Sequence, residues 1–195
     1  MSGLPDEPFS FFQAQFGAAQ RSEPFDATRA ALATVSGEGF PSVRFVLVKG
    51  HGPDGFTFFT NYESAKAKDL DGQGVAALGW HWHTTGCQVR ASGPVARVSA
   101  EESDAYFKSR PRGSQVGAWA SRQSAVVSSR DVLLRDVQEI EQRFAGRDVP
   151  RPPHWGGYRL TPVRVEFWFD GESRLHDRHL FTRQGDRWSR VRLSP

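Results

Sequence analysis

Cysteine is nearly absent. One thiol, Cys87, in 195 residues leaves no internal disulfide to form and fits a reducing compartment. No apolar run approaches the roughly 20 residues that span a bilayer. Met1 to Pro8 carries neither a basic start nor an apolar stretch, so no secretory leader is read there and a cytoplasmic location is expected. Lysine is scarce too, with only Lys49, Lys66, Lys68 and Lys108 among 25 basic residues. The arginines are scattered and never form a run of five, which argues against a nucleic-acid partner despite a pI of about 9.3. A GxxxxGK[ST] pattern is missing, and the one GxGxxG match, Gly50 to Gly55, falls in a turn between two predicted strands instead of opening a helix, so those two routes to nucleotide binding have no support. A GxSxG elbow is missing as well, which removes serine hydrolase chemistry. His81 and His83 alternate but find no third ligand at metal-site spacing, so no metal is expected. Repeats, low-complexity tracts and linkers between two cores are all lacking.

What is present is a core. Hydrophobic residues make up 38% of the chain, with fifteen Phe and six Trp, enough to pack one domain. Residues 1–8 read as a flexible arm and 9–195 as that domain. From Pro8 to Gln20, Phe9, Phe12 and Phe16 recur at helical spacing, predicting an amphipathic helix. Strands are predicted over Arg29–Val35, Val43–Lys49 and Phe56–Thr60, with turns at 36–39 and 50–55, which makes an antiparallel meander. Glu63–Leu70 reads as a short helix. Val75–Trp82 and Gln88–Val98 read as further strands. Ser99 and Glu102 have capping-box spacing ahead of a helix to about Ser109. Ser128 or Ser129 caps a longer helix to Phe144. Residues 146–157 hold three prolines and three glycines and read as a loop. Arg164–Phe169, His179–Arg183 and Arg187–Leu193 close the chain as strands. Six to eight strands with a few helices, never alternating regularly, predict a mainly β, α+β fold: a β-barrel decorated with helices.

Three clusters could carry chemistry. In Arg44-Phe45-Val46-Leu47-Val48-Lys49, a strand would place Arg44 and Lys49 on opposite faces; both could equally reach solvent. In the second, Tyr106, Arg110 and Ser114 recur at four-residue spacing, the donor types that converge on a phosphate. Pro111 and Gly113 interrupt any continuous helix there, and a solvated helix end explains the same residues. In the third, Arg174 and His176 would point the same way if the segment is extended, setting a fixed cation beside a titratable imidazole. A charged surface turn is the simpler reading of that stretch. Cys87 has no activating neighbour in sequence and reads as a buried or neutral thiol.

Taken in order, these segments resemble the pyridoxine 5′-phosphate oxidase family over nearly the whole chain. The stretch from Tyr106 to Ser124, containing Arg110-Pro111-Arg112-Gly113-Ser114-Gln115, carries most of the resemblance. Arg174-Leu175-His176-Asp177-Arg178 is nearly as distinctive, and both are correctly ordered around Phe59-Thr60-Asn61 and Trp155-Gly156-Gly157. The resemblance implies an FMN-binding split β-barrel, a homodimer with the flavin at the subunit interface and sites shared between subunits. It places Arg44, Phe45, Val46, Leu47, Val48 and Lys49 along the flavin, with Arg44 and Lys66 toward its phosphate. It sets Phe59, Thr60, Gln88, Gln123, Ser124, Trp168 and Arg178 around the same cofactor. It assigns Lys49, Tyr106, Arg110 and Ser114 to the substrate 5′-phosphate, and Arg174, Leu175 and His176 to the substrate ring, Arg174 and His176 being catalytic. The implied reaction is oxidation of pyridoxine or pyridoxamine 5′-phosphate to pyridoxal 5′-phosphate. A hydride passes from C4′ to the flavin, and O2 then reoxidises it to give hydrogen peroxide, with ammonia released from the amine. No membrane or nucleic-acid partner is implied.

The chain departs from the family pattern in three places. Ala65 stands where an arginine commonly precedes Lys66, Phe59 replaces a frequent tyrosine, and the arm before the first helix is short. Two other functions compete: a flavin oxidase of the same fold acting on another ring, as in phenazine biosynthesis, and a non-catalytic module binding flavin or pyridoxal phosphate. The Arg110 to Trp119 stretch favours the vitamin B6 substrate, and Arg174 with His176 favours catalysis.

Overall fold

The structure, a computed structural model of the chain, describes residues 7–195. The expected arm therefore lies, through Asp6, outside the described residues, and Pro8 already opens the first helix. That helix, α1 (Pro8–Ser22), starts with proline at its first turn, where no amide hydrogen is needed. It buries Phe12 and Phe16 against the barrel.

Strands β1 (Arg29–Val35), β2 (Pro41–Gly52) and β3 (Gly55–Asn61) form the expected meander. Strand β2 is longer than the 43–49 predicted. Gly50 to Gly52 continue the ladder beyond a register shift between Val48 and Gly50, so only Pro53 and Asp54 remain to turn the hairpin. Helix α2 (Ala65–Gln73) follows, then β4 (Val75–Trp82) and β5 (Cys87–Arg97). Helix α3 (Ala100–Ser109) is capped as expected, the Ser99 hydroxyl accepting from the Glu102 amide. Helix α4 (Arg112–Ala120) was not foreseen as a separate element. Helix α5 (Arg130–Arg143) is capped by Ser129.

The loop expected over 146–157 ends early, because β6 (Trp155–Leu160) begins at its last three residues and pairs with both β3 and β5. The glycines there serve close approach and do not break the chain. A Cβ on Gly157 would sit 2.6 Å from Val98 Cγ2 and 2.8 Å from the Phe59 ring, so only glycine lets the strand pass. Strands β7 (Arg164–Phe169), β8 (Asp177–Gln184) and β9 (Arg187–Leu193) complete the chain.

The order β4-β1-β2-β3-β6-β5 closes on itself through β4–β5 pairing, giving a six-stranded antiparallel barrel. Closure removes the exposed edges such a sheet would otherwise present. Strand β5 serves two neighbours on one side: its first half pairs with β7 and its last residues with β6. Strands β8 and β9 extend the sheet outward from β7. The barrel is filled by Phe56, Phe58, Trp80, Trp82, Phe167 and other apolar side chains. A second, smaller core, Phe107, Val116, Phe144, Val149 and Trp155, fastens α3, α4 and α5 to its rim. Among the described residues, no helix is long and apolar enough to cross a membrane.

Candidate active site

The rim core and β3 enclose a cavity of about 600 Å³. Its wall includes Leu47 and Lys49 from β2, Phe59 and Thr60 from β3, Tyr106 from α3, Arg110, and Ser114 from α4, together with Gln123. The interruption at Pro111 does not scatter the Tyr-Arg-Ser series. Helix α3 stops at Ser109, Arg110 is extended (φ −74°, ψ 147°), and α4 restarts at Arg112, so all three side chains reach one space by a kink instead of a helical face.

The wall is aromatic on one side. Phe59 stacks on Tyr106 at 4.0 Å and on Trp155 at 5.6 Å. The Arg110 guanidinium lies 4.6 Å over the Trp155 ring. Burial holds the Arg110 pKa down, partly offset by Tyr106, and pushes the Tyr106 phenol up. Arg110 Nη1 is buried without a hydrogen-bond acceptor. An orphaned guanidinium nitrogen costs free energy unless an anion arrives to accept from it. Lys49 reaches the same cavity from the opposite wall, hydrogen-bonded to Thr28 Oγ1 at 3.2 Å and paired with Asp26 at 3.6 Å.

A second cation pair sits next to this cavity. Lys66, on the first turn of α2, donates to Gln123 Oε1 (2.6 Å), Thr60 Oγ1 (3.3 Å) and Ser64 Oγ (3.4 Å). Burial lowers its pKa, and the Arg44 charge lowers it further. Arg44 is itself fixed by Thr34 Oγ1 and Ser42 Oγ, each at 2.6 Å, with Asp69 at 3.9 Å. Ser124 adopts φ 72° and accepts from the Ala65 amide at 3.2 Å. A half-buried lysine whose acceptors are all neutral, beside an arginine, fits a phosphate: an anion would relieve both the desolvation and the repulsion. Of the remaining β2 positions, Val46 and Val48 face the barrel. Phe45 is 71% exposed and Val43 69% exposed, on the outer face.

The other sequence-predicted residues collect elsewhere. Gln88 pairs with Trp168, Trp168 with Arg178, and Arg178 with Leu193, so they form one row across β5, β7, β8 and β9 on the outer sheet face. His176 packs on Trp168 with ring centroids 4.3 Å apart, and its Nδ1 accepts from the Gly171 amide at 3.2 Å. The extended conformation that would align Arg174 with His176 is not adopted; the segment is the charged turn that was the simpler reading. Residues 172–174 form a single 3-10 turn, with Ser173 at φ 56° and Arg174 at φ 63°. Two successive left-handed residues that are not glycine store strain, the kind found where a loop must present a side chain. Arg174 and Leu175 are exposed. Among the described residues, none of this second group lines the Arg110 cavity.

Sequence reasoning did not pick out Asn61, Ser109, Ser121 and Trp155 as cavity walls. The Trp155-Gly156-Gly157 sequence was the available signal: a large ring followed by residues chosen for close approach. Cys87 is buried, and burial pushes its thiol up to about 12, as an inert core residue requires. Among the described residues, no three metal-ligating side chains converge.

Barrel and rim helices define a split β-barrel protein, and its paired cation clusters have the chemistry that suits phosphate-bearing ligands. Residues 18–144 match the family model described as pyridoxamine 5′-phosphate oxidase, and residues 155–195 match that of the pyridoxine 5′-phosphate oxidase C-terminal dimerisation region. The chain is 49% identical over 193 residues to a pyridoxine/pyridoxamine 5′-phosphate oxidase of Rubrobacter xylanophilus, covering 99% of this chain and 89% of that one. It is 50% identical over 194 residues to that of Anaeromyxobacter dehalogenans, covering 100% and 98%. Among solved structures, PhzG from Burkholderia lata, in complex with tetrahydrophenazine-1-carboxylic acid, superposes with TM-score 0.92 at 30% identity, covering 98% of this chain and 94% of that one. The chain belongs to the pyridoxine/pyridoxamine 5′-phosphate oxidase family.

Proposed function

We propose that this protein oxidises pyridoxine or pyridoxamine 5′-phosphate with O2, using FMN, as a homodimer whose sites each draw on both copies. The observation that carries this reading is the buried, unpartnered Arg110 nitrogen in a cavity shared with Lys49, Tyr106 and Ser114. Together these groups offer charge-assisted donors to one phosphate monoester.

Arg44, Lys66 and the Ser124 hydroxyl would hold the cofactor phosphate, and the β2 segment from Phe45 to Val48 would run along the flavin. Phe59, Thr60 and Gln123 would line its other side. When bound, FMN supplies the two-electron acceptor and the route to O2. The partner copy completes the site with its Gln88–Trp168–Arg178 row and its Arg174–His176 turn, since these lie apart from the cavity in their own chain. The dimerisation region matched over 155–195 contains most of them. The exposed apolar residues of β2 suit the same contact.

Arg174, a permanent cation on a strained turn, orients the substrate ring. His176 Nδ1 is engaged by the Gly171 amide at 3.2 Å and Asp170 Oδ1 at 3.4 Å, which leaves Nε2 as the ring nitrogen free to meet the substituent on C4′. Tyr106, Arg110 and Ser114 anchor the far end, so the reacting carbon is positioned from both sides.

The test is direct. Purified protein should be yellow, release FMN on denaturation, and consume O2 when pyridoxamine 5′-phosphate is added. Colourless protein that ignores added FMN, or yellow protein inert to both phosphate esters, overturns the reading. A ring substrate carrying a carboxylate in place of the phosphate, as in the phenazine-bound relative, would offer fewer acceptor oxygens to Lys49, Tyr106, Arg110 and Ser114 and is disfavoured for that reason.

A further inference from the structure

The outer face of the β5–β7–β8 sheet carries a charge arrangement that no role above uses. Glu166 sits two residues before Trp168, on the same face of β7, with its side chain only 11% exposed. It lies between two arginines: Arg90 Nη2 donates to Oε2 at 2.5 Å and Arg178 Nε donates to Oε1 at 2.9 Å. Arg178 is anchored at its other end by the Ser194 carbonyl, 2.8 Å from Nη1. The strand register makes this compulsory. Arg90 pairs with Glu166 across β5–β7, and Arg178 pairs with Trp168, the next residue of that face, across β7–β8.

We infer that Glu166 is a positioning residue for the cofactor: it fixes the Arg178 guanidinium in the Gln88–Trp168–Arg178 row while neutralising Arg90. The inference rests on the reading that this row meets FMN. A buried carboxylate is costly unless its partners satisfy both oxygens, and here each oxygen has its own arginine. Without it, the guanidinium groups on the two strands flanking β7 would repel across it, and Arg178 would lose the fork that sets its plane.

The sign of the effect separates positioning from a simple field. Removing a negative charge near an anionic cofactor should tighten binding if Glu166 acted only at a distance. It should weaken binding if Glu166 acts by holding Arg178, because Glu166→Gln turns an amide NH2 toward a guanidinium.

FMN dissociation constants, read from flavin fluorescence quenching on dimers verified by sedimentation, test this. Glu166→Gln should weaken FMN by about tenfold, the scale of one charge-assisted hydrogen bond. Arg178→Ala should weaken it at least as much. The double variant should match Arg178→Ala alone, because residues acting as one unit are not additive. Wild-type or tighter affinity in Glu166→Gln, with Arg178→Ala weakened, overturns the positioning role and leaves the site reading intact. Additive losses in the double variant overturn it equally. Wild-type affinity in Arg178→Ala overturns the site reading itself. Should Glu166→Gln fail to fold, Glu166→Asp keeps the charge but draws it back by one methylene from both arginines. It should also weaken FMN, and unchanged affinity there overturns the proposal.

Discussion

Arg110 shows how much one residue's surroundings say about its task. One of its nitrogens is buried without an acceptor and its guanidinium lies over the Trp155 and Phe107 rings, so a phosphate oxygen is the natural complement. Phosphate lies remote from the reacting carbon, and loss of that contact removes binding more than it slows chemistry. Arg110→Ala should therefore raise KM for pyridoxamine 5′-phosphate by roughly 10- to 100-fold, for about 1.5–3 kcal/mol, with a smaller fall in kcat. Arg174→Ala and His176→Ala should do the reverse. In anaerobic stopped flow at saturating substrate they should slow flavin reduction while FMN stays bound. Wild-type reduction rates in both would remove them from the catalytic assignment and leave the phosphate assignment standing. His51 makes a different point. It packs between Phe12 and Phe16 of α1, with ring centroids 5.3 and 4.7 Å away, and burial lowers its pKa. Below its ordinary value of 6.5 the unfolded chain takes up a proton that the folded chain refuses, so stability falls as pH drops through that range. His51→Gln should flatten this acid-side loss in denaturation midpoints measured between pH 7 and pH 5; an identical slope would place the loss elsewhere.

The element scale is where sequence reading was strongest and also where it slipped. Strand β1 and the caps of α3 and α5 were legible from alternation and from Ser99 and Ser129, because local hydrogen bonding decides them. Strand β6 was not, because glycine and proline density ordinarily signals a loop. Here Gly156 and Gly157 are demanded by contacts with Tyr62, Val98 and Phe59, which are distant in sequence. The kink between α3 and α4 was half legible: Pro111 announced the break, but only the rim core decided where α4 would point. The turn before β8 was legible as a charged turn but its form was not, because nothing local in Glu172-Ser173-Arg174 favours two left-handed residues. Its geometry depends on Gly171, where a Cβ would meet the Leu175 carbonyl oxygen at 2.2 Å. Gly171→Ala should displace this turn, lowering kcat by roughly tenfold or more through misplacement of Arg174 and His176. The barrel should stay folded, as circular dichroism and FMN binding would report. An unchanged kcat would mean the turn need not be held in this conformation.

At the scale of the whole molecule, the residues the sequence marked fall into two groups. One surrounds the Arg110 cavity and the Arg44–Lys66 pair; the other lies on the outer face of β5, β7 and β8. Neither group suffices for the chemistry. The resemblance named both and implied sites shared between subunits; the three-dimensional arrangement keeps the two groups apart within one chain, and the proposed reading joins them across a second copy. On that reading, in a twofold dimer each copy would lend its outer face to the other's cavity. The measurement that tests this most directly is complementation between Arg110→Ala and Arg174→Ala chains. Each homodimer should turn over pyridoxamine 5′-phosphate poorly at subsaturating substrate. In randomly mixed dimers, half the molecules are hybrids, and each hybrid gathers both lesions into one site and leaves the other intact. The mixture should regain about a quarter of wild-type turnover by this twofold arithmetic. If every site were built within one chain, each hybrid would hold two damaged sites, and the mixture would show no more than the average of its parents.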